Sequence, residues 1–131
     1  MTADPNHVLH DGVVRLRPLE AADAEQTRPW RNDPAVWART MGFRLPITET
    51  MEHQWFAALA ADNGLTRVAF AIDTSDGLVG FVQLNEIDWP SRTASFGILI
   101  GDETQRGKGL GRRALALVTG YAKDQLGLRK L

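Results

Sequence analysis

The run Gln105-Arg106-Gly107-Lys108-Gly109-Leu110-Gly111 sets three glycines, interleaved with a lysine and a leucine, at the head of a good helical run, Leu110 to about Leu126. Glycine admits backbone angles that other residues resist, and it lets an oxygen-rich ligand approach the main chain. A helix that starts there points unpaired N–H groups and the positive end of its dipole at that ligand. These residues can therefore form an anion cradle, best suited to phosphate. They can equally form a plain glycine-rich turn between a strand and a helix, because short glycine motifs are weak evidence by themselves. Two nucleotide motifs are excluded. Walker A needs Ser or Thr after its lysine, but Gly109 follows Lys108, and Arg106 stands where glycine belongs when the motif is counted from Gly101. The dinucleotide fingerprint fails at Arg112, and it belongs after the first strand of a parallel unit. Zinc and EF-hand spacings and a GxSxG nucleophile elbow are absent.

The chain around this loop bounds the chemistry further. At 131 residues it reads as a single domain, 1–131, with a small core. Fifteen basic residues against sixteen acidic leave a net charge of -1, which argues against a nucleic-acid binder or a polybasic membrane surface. With no cysteine there is no disulfide, thiol nucleophile or cysteine-ligated metal. No apolar run approaches the roughly 20 residues that span a membrane, and Met1 to Asp11 lacks the apolar stretch of a signal peptide. A cytoplasmic protein with no metal site is expected.

The elements that must position the loop follow from patterning. Residues 1–12 read as a flexible leader carrying His7 and His10. Val13 to Arg17 alternates as a strand, which Pro18 ends. Residues 20–31 form a helix with Pro29 near its end, Asn32-Asp33-Pro34 turns, and Ala35 to Thr40 add a helical turn. Thr48 N-caps a helix to Ala61 whose Met51, Trp55, Ala58 and Leu59 share a face expected in the core. Three strands follow, Thr66–Asp73, Leu78–Asp88 and Thr93–Gly101, joined by turns at Thr74–Gly77 and Trp89–Arg92. This is an antiparallel meander, with the glycine loop and its helix after it. Leu128 to Leu131 opens another apolar segment.

Arg106-Gly107-Lys108-Gly109-Leu110-Gly111 fits the R/Q-x-x-G-x-G/A loop of the GNAT N-acetyltransferases, and the element order matches as well. Val14-Arg15-Leu16-Arg17-Pro18-Leu19, Trp30-Arg31-Asn32-Asp33-Pro34, Val79-Gly80-Phe81 and Ile100-Gly101-Asp102 resemble the RimJ/RimL-like branch, so the resemblance covers nearly the whole chain from Val13. It implies an α+β fold, a central and mostly antiparallel sheet flanked by helices. It implies that the backbone of Arg106 to Gly111 binds the pyrophosphate of acetyl-CoA as co-substrate, with Lys108, Arg112 and Arg113 close enough to add charge. It also implies that the main chain of Ile98, Leu99 and Ile100 pairs with the pantetheine arm. The acetyl group would pass to a primary amine on an amino-sugar, polyamine, other small molecule or protein N-terminus.

The chain departs from the family in two places. Many relatives carry a glutamate, a common general-base candidate, in the third meander strand, where Ala94-Ser95-Phe96-Gly97 has Ser95. A hairpin centred on Pro90 and Ser91 sets Glu86 opposite Ser95 and Asp88 opposite Thr93. One face would then show Asp88, Glu86, Ser95 and Thr93, and the other Ile87, Phe96, Ile98 and Phe81. Glu86 becomes the candidate base, acting through water if needed; a bulge would change this register. The family also continues with further strands and a helix, so the last strands and helix are expected to be missing after Leu131, with a strand edge left to pair with another chain, a homodimer included. Tyr121, inside the last helix, reads as packing. Trp30, Asn32 and Trp55 would line the acceptor side, with Asp88 and Glu86 attracting a cationic amine and His53 nearby. The competing reading is a non-catalytic acyl-CoA-binding or regulatory module, which keeps the loop and lacks the base.

Overall fold

The computed structural model describes residues 8–38, 46–101 and 103–131. Its centre is a five-stranded antiparallel sheet whose spatial order follows the chain: β1 Leu9–His10, β2 Arg15–Pro18, β3 Val68–Thr74, β4 Gly77–Asp88 and β5 Thr93–Ile100. Between β2 and β3 lie a 3-10 turn (Ala21–Asp23), α1 Ala24–Arg31, α2 Pro34–Trp37 and α3 Glu49–Asp62. After β5 come a second 3-10 turn (Glu103–Gln105) and α4 Leu110–Asp124. Thr93 makes a parallel bridge with Lys130, so β5, α4 and the segment after it form a parallel crossover.

Strand alternation splits the apolar residues into two layers. One face of the sheet, with Leu16, Phe70, Ile72, Val82 and Leu84, meets the buried stripe Leu110, Ala114, Val118 and Ala122 of α4. Those four helix residues recur at intervals of four, which places them on one side. Tyr121 belongs to this layer, its ring edge-on to Phe70 at 5.3 Å. The opposite face carries Ala71 and Phe81 and packs on Leu19 and Phe56, with Trp30, Trp55 and Leu59 around them. Arg17 ties the second layer to the sheet, donating to Asp23 at 2.9 Å and to Asp73 at 2.8 Å. Both carboxylates hold its guanidinium pKa above the ordinary value, Asp23 most strongly and against the opposing effect of burial.

Three local expectations are corrected. The leader is not loose over its described part: Leu9 and His10 pair with Leu16 and Arg15, and the Asp11 carboxylate accepts the N–H groups of Val13 and Val14 to close the hairpin. Its first seven residues lie outside the described set. In α3 the Thr48 hydroxyl does cap the Met51 N–H, at 3.1 Å, and Asn63 ends the helix in the left-handed region. The buried face, however, is Glu52 and Phe56 with Trp55 and Leu59 beside them, while Met51 and Ala58 are exposed. That side is the one on which Phe56 packs into the layer of Leu19, Ala71 and Phe81 and Glu52 pairs with Arg31. The helical turn expected over Ala35 to Thr40 forms as α2, Pro34–Trp37, capped by Asp33; Thr40 lies outside the described residues.

Candidate functional site

At the end of β5 the chain passes through Gly101 and a 3-10 turn into the glycine loop. Gly107 (φ 80°) and Gly109 (φ 75°) are both left-handed, which only glycine adopts cheaply. Gly109 is the N-cap of α4 and offers no side-chain cap, so the first N–H groups of the helix have no capping side chain from it. Leu110 is buried beneath the sheet, which fixes how the helix sets off. The Arg106 guanidinium turns back to the strand, Nε donating to the Ile100 carbonyl at 3.1 Å. Gln105 is buried, and its Nε2 donates to Asp76 Oδ2 at 3.0 Å.

These residues enclose a cleft of about 390 Å³ lined by Ile98, Leu99, Ile100, Arg106, Gly107, Gly109, Leu110, Gly111 and Arg112, with Val36 and Gln105. Nearly every residue expected to hold the cofactor therefore meets in one place. Lys108 is exposed and outside the lining. Arg113 is diverted: its guanidinium pairs with Asp11 at 3.1 Å, on the side of the first hairpin.

The edge of β5 supplies a second set of polar groups. Ala94 N–H bonds outward to Lys130, whereas Gly101 N–H bonds inward to Val79 on β4. Backbone direction alternates along a strand, so Phe96, Ile98 and Ile100 aim N–H and C=O out of the sheet. The Leu99 main chain points to β4, which corrects the expectation that all three residues could pair with an extended ligand arm. Gly111 lies behind this edge, with room for a Cβ 3.6 Å from Ile98.

The β4–β5 hairpin corrects the register expected around Glu86. Asp88 does face Thr93, but Asn85 faces Ser95, because the ladder slips at Glu86 and Ile87. Glu86 is the bulged residue, exposed, with a left-handed φ of 52°. It does not oppose Ser95, and among the described residues its carboxylate has no hydrogen bond or ion pair. The Ser95 hydroxyl instead donates to the Asn85 carbonyl at 3.3 Å. The slip also reassigns Phe81, which pairs with Leu99 and packs in the layer of Trp55, away from Ile87 and Ile98. Ser95 and Asn85 thus share the face of α1 and α3 with no carboxylate between them.

The expected acceptor residues divide. Trp30 and Trp55 both line the second layer, Trp30 against Gly101 and Trp55 5.6 Å from Phe81. The Arg31 guanidinium sits 4.4 Å from the Trp55 ring centre and pairs with Glu52, whose other oxygen accepts the Thr27 hydroxyl at 2.8 Å. Asn32 is spent on structure: its amide donates to the Ile47 carbonyl and accepts the Ile47 N–H. Asp88 caps the Ser91 N–H in the hairpin turn. His53 lies on the exposed side of α3, 4.0 Å from Glu49. Sequence reasoning missed Glu52, Val36 and the Asp76–Gln105 bond. A glutamate in a first turn reads as solvated, and a bond between residues 29 apart leaves no local signal. Among the described residues no helix is long and apolar enough to cross a membrane.

The sequence profile of the acetyltransferase (GNAT) domain matches residues 14–131. No curated protein sequence matches the chain. Among solved structures, the spermidine N-acetyltransferase of Vibrio cholerae in complex with CoA and spermine superposes with a TM-score of 0.76 at 24% identity, over 90% of this chain and 68% of that one. The same enzyme's dodecameric structure in an intermediate state gives 0.69 at 22%, over 90% and 67%. A domain from Methanocaldococcus jannaschii gives 0.75 at 22%, over 91% and 75%. At these identities the likeness is one of fold. The chain spans about two thirds of the length of the spermidine acetyltransferase structures it matches.

Proposed function

We propose that this chain, which belongs to the GNAT acetyltransferase family, moves an acetyl group from acetyl-CoA to a primary amine. The observation that carries the reading is the uncapped N-terminus of α4, reached through left-handed Gly107 and Gly109 beside the open edge of β5. The first N–H groups of that helix suit the pyrophosphate, and the outward main-chain groups of Ile98 with the Ile100 N–H suit the amides of pantetheine, the Ile100 carbonyl being held by Arg106. Arg112 adds charge at the mouth of the cleft.

The acceptor nitrogen attacks the thioester carbonyl, the C–S bond breaks, and the sulfur leaves as thiolate and takes up the proton the nitrogen loses. Orientation in the cleft supplies most of the acceleration. Asn85, not a carboxylate, stands opposite Ser95, and in this reading the amine reacts as the neutral species delivered by solvent. Acceptor classes that fit are amino-sugars, polyamines, other small amines and protein N-termini, with Trp30 and Trp55 as the apolar wall. The finer reading is a RimJ/RimL-like enzyme of the cytoplasm, on the strength of Trp30-Arg31-Asn32-Asp33-Pro34. A homodimer belongs to the same reading, with exposed Phe96 beside the β5 edge as its support.

A second reading is favoured by the displacement of Glu86 from Ser95: a module that binds acyl-CoA and does not turn it over. Calorimetric titration with acetyl-CoA, followed by release of free thiol against an amine panel, separates the two. Binding with thiol release supports the transferase, binding alone supports the module, and no binding rejects both.

A further inference from the structure

We propose that Asp76, in the turn between β3 and β4, is a positioning residue for the glycine loop and acts through Gln105; the inference rests on the cleft being the acetyl-CoA site. The loop has little to hold itself. Gly107 and Gly109 have no side chains, and a Cβ built at either would meet nothing within 4 Å. Beside buried Leu110, the side chains of Arg106 and Gln105 tie its head to the body of the fold. Arg106 fastens it to the end of β5 through the Ile100 carbonyl. Gln105 fastens it to the opposite side, across the sheet end, through Asp76 Oδ2 at 3.0 Å. Gln105 is only 8% exposed and lines the cleft, so its carboxamide has little water to bond with in place of Asp76.

Asp76 is itself exposed, but the turn that carries it is held. Its own N–H donates to Thr74 Oγ1 at 3.1 Å, Thr74 is buried, and the Thr74 carbonyl accepts Arg15 Nη2 at 2.7 Å. Left-handed Gly77 closes the turn. A carboxylate acceptor makes this bond stronger than a neutral pair would. The aim of the loop amides at a phosphate therefore depends on a turn that touches neither ligand nor acceptor.

The test is calorimetric titration of the full chain with acetyl-CoA. Asp76→Ala strands the Gln105 amide and is expected to weaken binding roughly tenfold. Asp76→Asn keeps an oxygen within reach and should stay within about threefold of the parent. Gln105→Met, near in shape and without the donor, should reproduce the Asp76→Ala loss. The double variant should lose no more than either single one, since both remove one bond. Parent-like affinity in Asp76→Ala and Gln105→Met overturns the proposal, and so does an equal loss in Asp76→Asn and Asp76→Ala. A parent chain that does not bind acetyl-CoA overturns the reading of the cleft instead.

Discussion

Trp30 packs so tightly on Gly101 that a Cβ built at position 101 would lie 1.9 Å from Cδ2 of the indole. The end of α1 is thereby locked to the end of β5, at the point where the chain enters the glycine loop. Gly101 is glycine because of its neighbour, with no demand from backbone angle.

Gly101→Ala should therefore destabilise the fold by about 1–3 kcal/mol, the usual range for overpacking a filled site. Trp30→Leu in the same chain should recover part of that loss, because the clash has one source. Urea unfolding of the two single variants and the double variant measures both. Additive losses would mean that the ring and the glycine do not press on each other.

Glu52 offers a second test of how α1 and α3 are joined. It is 1% exposed and serves both Arg31 and the buried Thr27 hydroxyl. Glu52→Ala leaves a cation and a hydroxyl without their partner, at a cost of about 3 kcal/mol. Glu52→Gln, which keeps an acceptor for Thr27, should cost less. Chemical denaturation distinguishes them, and a neutral Glu52→Ala would show that the pair is dispensable.

The displacement of Glu86 from Ser95 has a kinetic consequence. A positioned general base contributes roughly 100-fold or more, so Glu86→Gln should lower kcat/KM by less than about threefold if the exposed bulge takes no part. With no base in the slot, kcat/KM should rise with pH towards the pKa of the acceptor amine, about 10 for a lysine-like nitrogen. A hundredfold loss in Glu86→Gln, or a rate that levels off near neutrality, would return Glu86 to the reaction through a bridging water.

The same slip marks the limit of what the sequence disclosed. The strand–helix order, the Thr48 cap and the glycine loop were all legible, because each rests on local chemistry: alternation, a hydroxyl before a helix, glycine where φ is positive. The register of β4 against β5 was legible only as far as Asp88 and Thr93. A bulge at Glu86 costs the chain nothing that composition reveals, yet it exchanges Asn85 for Glu86 and moves Phe81 to the other face. The burial of Glu52 was illegible for a related reason, since its partners Thr27 and Arg31 stand more than 20 residues away in the chain.

Asp62 should give the fold a measurable acid limb. Its carboxylate accepts the Thr66 hydroxyl and the N–H groups of Thr66 and Arg67, closing the link from α3 to β3. The Thr66 hydroxyl leads the interactions that hold its pKa below the ordinary 3.8. A depressed carboxyl stabilises the fold above its unfolded pKa, and that contribution disappears as pH falls through the lower folded value. The stability gap between the parent and Asp62→Asn should thus be full at neutral pH and close below pH 3.8. Urea midpoints across the acid range check it; a gap that persists in acid would point to shape and not charge.

The most direct measurement is calorimetric titration of acetyl-CoA into the parent chain and Gly109→Val. Position 109 has open space around it but a left-handed φ, so valine both strains the cap of α4 and intrudes on the cleft. Saturable binding to the parent, weakened at least about tenfold in the variant while its far-ultraviolet circular dichroism is unchanged, is the expected result. Equal affinity in the two proteins, or no binding to the parent, would contradict the assignment of the glycine loop as the acetyl-CoA cradle.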